Sequence, residues 1–304
     1  MSAIFDYNML PVRRIFEAAR DSRGNPQAMT DETQFRKAPL RPFQERLAAA
    51  IALQQRIIVA LFIRETRTRF GYSMLGYGWV LLEPAFNLIV WAVLFNMLER
   101  HPPLGASMFI FVATAFFPFK LFRNMSAQLM PSITANRSLL SFPIVHNLDV
   151  IMARALLEVI TFIAVTGFYF SLFGIFGLQA VPAQPIEAML CLSAIGLFGF
   201  GMGTINAVLA CLLPSWPRIY PWYLRVSYVS SGIFFLPSHL PPAAQDILWY
   251  LPMTHAVEWF RVAFYDGYES TFLNTTYLVA WGALLTFVGL ALERLLRRSI
   301  SIAK

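Results

Sequence analysis

Arg64, Arg67 and Arg69, with Glu65 among them, set three guanidinium groups within six residues. A guanidinium offers a planar fork of donors that matches phosphate and carboxylate oxygens. The trio could therefore grip an acidic ligand, or anchor the chain to lipid headgroups. Lys120 sits in the run Phe116-Phe117-Pro118-Phe119-Lys120-Leu121-Phe122, followed by Arg123. A cation inside so apolar a run is costly unless it reaches water, the membrane interface or a partner. His255, Glu258 and Arg261 are spaced three apart, so on a helix Glu258 can reach both neighbours. They could form a structural ion pair or a polar gate. Glu83 and Glu158 are the acidic residues in otherwise apolar stretches, and Glu83-Pro84 reads as the start or kink of a helix.

Other chemistry is missing from the sequence. It has no Gly-x-x-x-x-Gly-Lys-Ser/Thr phosphate loop, no His-Glu-x-x-His, no Gly-x-Ser-x-Gly and no Asp-x-Asp. The four His (101, 146, 239 and 255) show no metal spacing. Cys191 and Cys211 are roughly 30 Å apart if they share one helix, so they cannot pair. They read as small buried apolar residues. Gly199-x-Gly201-x-Gly203 reads as close helix packing rather than a ligand cradle. No central acidic relay suggests ion-driven transport. The expectation is no catalytic residue, no metal and no cofactor in this chain.

The elements that must hold these residues follow from composition. Of 304 residues, 57% are hydrophobic and 15% aromatic, with 28 Phe, while only 13% are charged. Soluble proteins carry about 25% charged residues, and mean hydropathy here is +0.56. That excludes a soluble enzyme, a disulfide scaffold and a disordered chain. The fold class expected is an all-α polytopic membrane protein. Apolar stretches at about 75–98, 108–128, 150–176, 186–213, 219–236 and 273–295 predict six spans of roughly 20 residues each. The fifth is interrupted by Pro221 and Arg225, with Pro217 just ahead of it.

Residues 1–45 form a polar cytoplasmic tail, with a short helix near 15–19 and no signal-peptide pattern. Residues 46–72 predict an amphipathic helix too polar to span, lying in the interface. Residues 73–298 form the six-span domain. Within it, about 237–272 is both Pro-broken and aromatic, which predicts short re-entrant helices on the outer face. Residues 299–304 form the C-terminus. Of 24 Lys and Arg, 22 fall on one set of alternating sides and 2 on the other. The positive-inside rule then puts both termini in the cytoplasm.

Residues 53–84, LQQRIIVALFIRETRTRFGYSMLGYGWVLLEP, contain Arg-Glu-x-Arg-Thr-Arg-Phe-Gly, then Leu-Gly-Tyr-x-Trp, then Glu-Pro. They resemble the permeases of capsular-polysaccharide ABC exporters (KpsM-like), relatives of the O-antigen exporter permeases. Ala135-Asn-Arg-Ser-Leu-Leu-Ser-Phe-Pro143 with Ala153-Arg-Ala-Leu-Leu-Glu158, and Ser231-Gly-Ile-Phe-Phe235 with Leu251-Pro252, resemble the same family in the same order. The likeness covers about 45–298. It departs from the family at Leu251-Pro252, where many members have Asn-Pro.

The resemblance implies a homodimer working with two copies of a separate ATPase, which would hold ATP and Mg. It implies export of a lipid-linked acidic polysaccharide across the bacterial inner membrane, with periplasmic co-polymerase-like and outer-membrane partners and no nucleic acid. O-antigen, teichoic acid, a glycan-modifying enzyme and an ion-coupled carrier are the alternatives. On this reading Arg64, Arg67, Arg69, Lys120, Arg123, Phe116, Phe117 and Phe119 are candidates for the substrate path. Asn136, Arg137, Ser138, Leu139, Phe142 and Pro143 are candidates for coupling to the ATPase. His255, Glu258 and Arg261 form an outer gate or a structural clamp.

Overall fold

The computed structural model describes residues 43–70, 74–99, 101–142 and 144–302. Residues 1–42 of the tail, including the helix expected near 15–19, lie outside these, as do Pro143 and the last two residues. The chain divides into two units after Ala52. In the first, the described residues are 43–52, the opening turns of one helix.

Among the described residues the chain is helical throughout, with ten α-helices, one 3-10 turn and no strand. The helices are α1 (Phe43–Phe70), α2 (Met74–Met97), α3 (Met108–Gln128), α4 (Ser132–Ala135), α5 (Asn147–Ile175), α6 (Pro185–Leu212), α7 (Trp216–Ser230), α8 (Pro242–Trp249), α9 (Pro252–Phe264) and α10 (Thr275–Ile302). The 3-10 turn is Pro237–His239.

Local signals explain several boundaries. Pro185 opens α6 with Glu187 in its first turn, where a missing N–H and a negative charge both suit a helix start. At the start of α5, the Asp149 carboxylate accepts from the His146 backbone N–H at 2.8 Å, half of a capping box. Pro84 lies inside α2 rather than at its start. The turn before it is tied sideways instead, since the Tyr169 hydroxyl of α5 donates to the Leu81 carbonyl.

Four described stretches are long and apolar enough to cross a membrane: Gly78–Met97, Met108–Gln128, Pro185–Leu212 and Thr275–Arg297. Helix α5 has 29 residues but carries Asp149, Arg154 and Glu158 in its first half. Helix α7 is shorter than the expected span at 219–236. Its 15 residues reach about 22 Å, against a hydrocarbon core of about 30 Å. It stops at Ser230 because Gly232 turns the chain with φ 84°, a conformation that L side chains resist.

Helix α3 forms the centre, with most of its residues buried. It packs on α6 through glycines. A Cβ added at Gly199 would lie 2.9 Å from Met125 Cβ, and one at Gly203 would lie 2.9 Å from Leu129 Cβ. Gly201, between them, faces α10, where a Cβ would lie 2.6 Å from the backbone carbon of Leu285. A Cβ added at Gly289 would in turn lie 3.1 Å from the Gly201 oxygen. The glycine run therefore does pack helices closely. Aromatic rings fill the remainder: Phe122 stacks on Phe198 at 4.8 Å, and Phe117 meets Tyr169 and Phe170.

Candidate functional site

From Leu53 onward, α1 lies along the first half of α5 through one helical stripe. Gln54 donates to Asp149, Leu61 packs on Val150 and Ala153, Glu65 pairs with Arg154, and Arg69 pairs with Glu158. Positions 54, 58, 61, 65 and 69 recur at three-to-four spacing, so they share a face. The partners on α5 advance with them. Arg154 also donates to the Gln128 carbonyl at 3.2 Å, tying the end of α3 to the same row.

The three arginines do not all converge: Arg64 and Arg67 line one hollow, and Arg69 turns away from it. Arg64 donates to Asn136 Oδ1 at 2.6 Å, in the link that follows α4. Arg69 meets the buried Glu158. Arg67 is exposed beside a surface hollow lined by Ala60, Ile63 and Arg64. The opposite face of α1 exposes Leu53, Val59 and Ile63, as an interfacial helix requires.

Lys120 is buried, with Nζ 3.0 Å from Glu83 Oε2 and 5.8 Å from the Phe116 ring centroid. Arg123 approaches the other oxygen of Glu83 at 3.6 Å, with its side chain 47% exposed. Lys120, Glu83 and Arg69 edge a cavity of about 50 Å³ that Asn124, Thr161 and Thr166 help to line. Such a space suits water rather than a larger ligand. Phe116, Phe117 and Phe119 are all buried in the core of the chain.

The link between α4 and α5 is a series of turns. Asn136 is buried, and its Nδ2 donates to the Ser132 carbonyl at 2.9 Å. Leu139 N–H and Leu140 N–H both donate to the Asn136 carbonyl. Arg137 and Ser138 are exposed, and Phe142 and Ile144 present apolar side chains at 60% and 59% exposure. Leu139 and Leu140 turn inward to the cluster holding α1 on α5. Near the end of α10, Glu293 accepts from Asn147 at 3.0 Å.

At the other end of the helices, α9 is almost wholly buried. Arg261 Nη1 lies 3.3 Å from Glu258 Oε1 and donates to the Phe235 carbonyl at 3.2 Å, while Nη2 donates to the Ile233 carbonyl. The guanidinium lies 4.2 Å from the Phe111 ring centroid. Glu258 Oε2 accepts from Tyr268 at 2.8 Å and Ser270 at 2.9 Å. Burial pushes the Tyr268 phenol up, and the Glu258 charge beside it adds to the rise. His255 does not bond to Glu258. Its Nε2 meets the Trp249 carbonyl at 2.7 Å, and its Nδ1 accepts from the Asn274 N–H at 3.2 Å. Burial holds its pKa below the usual imidazole range.

Sequence reasoning singled out Glu65, Glu83 and Glu158 without their partners, read Gln54 only as part of the polar faces of the first helix, and did not reach Asp149 or Asn147. The helical stripe on α1 was the available signal for the α1–α5 row.

A family model described as an ABC-2 type transporter matches residues 56–265. The polysialic acid transport protein KpsM of Escherichia coli is 31% identical over 242 residues, covering 80% of this chain and 94% of that protein. The capsule polysaccharide export inner-membrane protein CtrC of Neisseria meningitidis is 30% identical, over 80% and 91%. BexB of Haemophilus influenzae, with the same descriptive name, is 28% identical over 83% and 95%. The O-antigen export system permease protein RfbA of Klebsiella pneumoniae is more distant, at 20%.

Proposed function

Because the chain belongs to the ABC-2 type transporter family, we propose that it is the membrane subunit of an ATP-driven exporter that moves a lipid-linked acidic capsular polysaccharide from cytoplasm to periplasm. The observation that carries this reading is the alignment with capsule-export proteins over about four-fifths of the chain and nearly their whole length. Permeases for O-antigen or teichoic acid are the alternatives. The sequence similarity to the O-antigen permease is weaker, which favours capsule.

The working unit would be a homodimer with two copies of an ATPase, which holds ATP and Mg. Periplasmic and outer-membrane export proteins would take the chain onward. Six spans with both termini cytoplasmic fit the 22-to-2 sorting of basic residues. In that topology α5, and α7 with the segment that follows it to Leu236, would complete the set of spans, and α8 and α9 would be re-entrant from the outer face. Arg137, Ser138, Leu139, Phe142 and Pro143 would meet the ATPase. Asn136 would transmit its movement to α1 through Arg64, supported by their 2.6 Å bond. Arg67 would meet the acidic substrate as it arrives, while Arg64 and Arg69 hold α1 in place. Lys120 would act on the path by holding Glu83, beside which Arg123 stands. The aromatic wall of Phe116, Phe117 and Phe119 would back that path. His255, Glu258 and Arg261 would clamp the outer end.

The test is purification from cells that make surface polysaccharide. A phosphate-loop ATPase should co-purify with the chain, and its catalytic substitution should abolish surface polysaccharide. Purification without an ATPase, or unchanged polysaccharide after deletion of this chain, would overturn the reading. Crosslinking from Ser138→Cys to the ATPase checks the coupling surface.

A further inference from the structure

A second opening lies on the stripe of α3 next to the one that lines the Lys120 cavity. It is a groove of about 590 Å³ lined by Asn87 of α2, Phe119 and Arg123 of α3, and Arg225 and Tyr228 of α7, among others. It brings together two guanidiniums from different helices, and among the described residues no carboxylate lines it. Arg123 pairs with Glu83 Oε1 at 3.6 Å while Lys120 takes Oε2 at 3.0 Å, so a single carboxylate faces two cations and the cluster keeps a net positive charge. Arg225 stacks over the Trp222 ring at 4.7 Å, and α7 carries no acidic residue.

The rest of the lining is largely apolar: Phe119, Ala127, Pro221, Leu224 and Val229. Two guanidiniums among such side chains need water or an anion to offset their desolvation. The groove also has an aromatic wall. The Phe119 and Tyr228 rings meet edge to face at 5.1 Å, and rings of this kind offer faces to the C–H surfaces of sugars. Asn87 donates Nδ2 to the Glu83 carbonyl at 3.1 Å, which leaves its amide oxygen as an acceptor.

We propose that this groove is an anion subsite of the glycan path, in which Arg123 and Arg225 hold carboxylate or phosphate groups of the passing chain against the Phe119–Tyr228 wall. This rests on the exporter reading and adds to it a wall, a residue (Arg225) and a chemical preference. The groove is more than ten times the volume of the Lys120 cavity, so it can admit sugar rings where that cavity cannot. Lys120 then serves the subsite indirectly, by sharing Glu83 with Arg123 so that the carboxylate does not neutralise both cations.

The test uses the complex of this chain with its ATPase in phosphatidylcholine nanodiscs. Leu224 lines the groove, so Leu224→Cys is made with Cys191→Ala and Cys211→Ala. Modification rates are measured with an anionic and a cationic methanethiosulfonate. The anionic reagent should react faster. The ratio should fall on the order of fivefold with Arg123→Gln and again with Arg225→Gln, the scale of a nearby unit charge in a partly wet site.

In the same nanodiscs, fluorescent oligogalacturonate should bind the unaltered complex. The double variant Arg123→Gln/Arg225→Gln should bind it at least tenfold more weakly, with dextran binding unchanged. Arg→Lys at both positions should restore part of the affinity. A Leu224→Cys that reacts with neither reagent, or a rate ratio indifferent to both substitutions, would overturn the subsite. So would oligogalacturonate affinity equal in the double variant, or absent in the unaltered complex.

Nanodiscs containing phosphatidylglycerol separate the two anion sources. If the unaltered complex retains that lipid and the double variant loses it while glycan binding stays level, the groove is a lipid site and the proposal fails. Failure of these tests with ATPase co-purification and surface polysaccharide intact removes the subsite alone. Failure of co-purification removes the exporter reading.

Discussion

Arg69→Gln should unlock α1 from α5. The ion pair it breaks is asymmetric, because the Glu158 side chain is 2% exposed and that of Arg69 is 25% exposed. One carboxylate oxygen of Glu158 has no hydrogen-bond partner, and the other accepts from Arg69. Removing one partner of a buried pair typically costs about 3–5 kcal/mol, because the remaining charge is left uncompensated. Partial exposure of Arg69 lowers that, so the expected loss is about 2–4 kcal/mol. Replacing both residues by Gln leaves no buried charge and should recover most of the loss. Equilibrium unfolding of the purified complex, followed by tryptophan fluorescence across the four variants of a double-mutant cycle, reads the coupling directly. A single variant as stable as the parent, or a double variant no better than the single, would refute the argument. Surface polysaccharide should track the same order, since the α1–α5 row sits where the ATPase is proposed to push.

The glycine contacts predict opposite outcomes on one helix. Gly201→Ala should destabilise by about 1–3 kcal/mol, because its Cβ meets the α10 backbone. Gly196→Ala has nothing within 4 Å and should be neutral or stabilising by up to about 1 kcal/mol; thermal unfolding distinguishes them. Arg261→Lys should cost about 2–3 kcal/mol, since an ammonium cannot reproduce the fork to Glu258, Phe235 and Ile233, and a parallel unfolding curve measures it. Phe142→Ala should leave unfolding unchanged within about 0.5 kcal/mol, because the ring is exposed, yet should reduce ATPase co-purification. His255 has a pKa depressed by burial in the folded state. The neutral ring therefore contributes stability that is present above the unfolded value of about 6.5 and lost as pH falls below it. A melting temperature that drops between pH 7 and 5 in the parent, and drops less in His255→Gln, checks the sign.

Much of the helix pattern was legible because bilayer-length apolar runs and glycine spacing are local properties. The stretches 75–98, 108–128 and 186–213 closely match α2, α3 and α6, and Gly199 to Gly203 does bring helices together. The Glu258–Arg261 pair was readable because both residues lie on one helix. Its remaining partners, Tyr268, Ser270 and the Phe235 carbonyl, were not, since they arrive from other segments. The same limit hid the fate of the arginines. Spacing placed Arg64, Arg67 and Arg69 together, but the partners of Arg64 and Arg69 stand 72 and 89 residues away, and tertiary packing sends Arg69 away from the other two. Lys120 was recognisable as a costly cation, whereas its pairing with Glu83 depends on how α2 and α3 cross. The early end of α7 turned on one glycine conformation that hydropathy does not register.

The glycine seams also bear on kinematics. Helices that touch backbone to backbone cannot slide or roll past one another without a collision, so α3, α6 and α10 behave as a single pillar. Helix α7 is different, with only Tyr220 and Ser227 buried, and α2 leaves one whole side uncovered. Within one chain, widening should therefore come from these outer staves leaning away from the post, and not from within it. The degrees of freedom of the molecule are thus allotted by where its smallest residues fall.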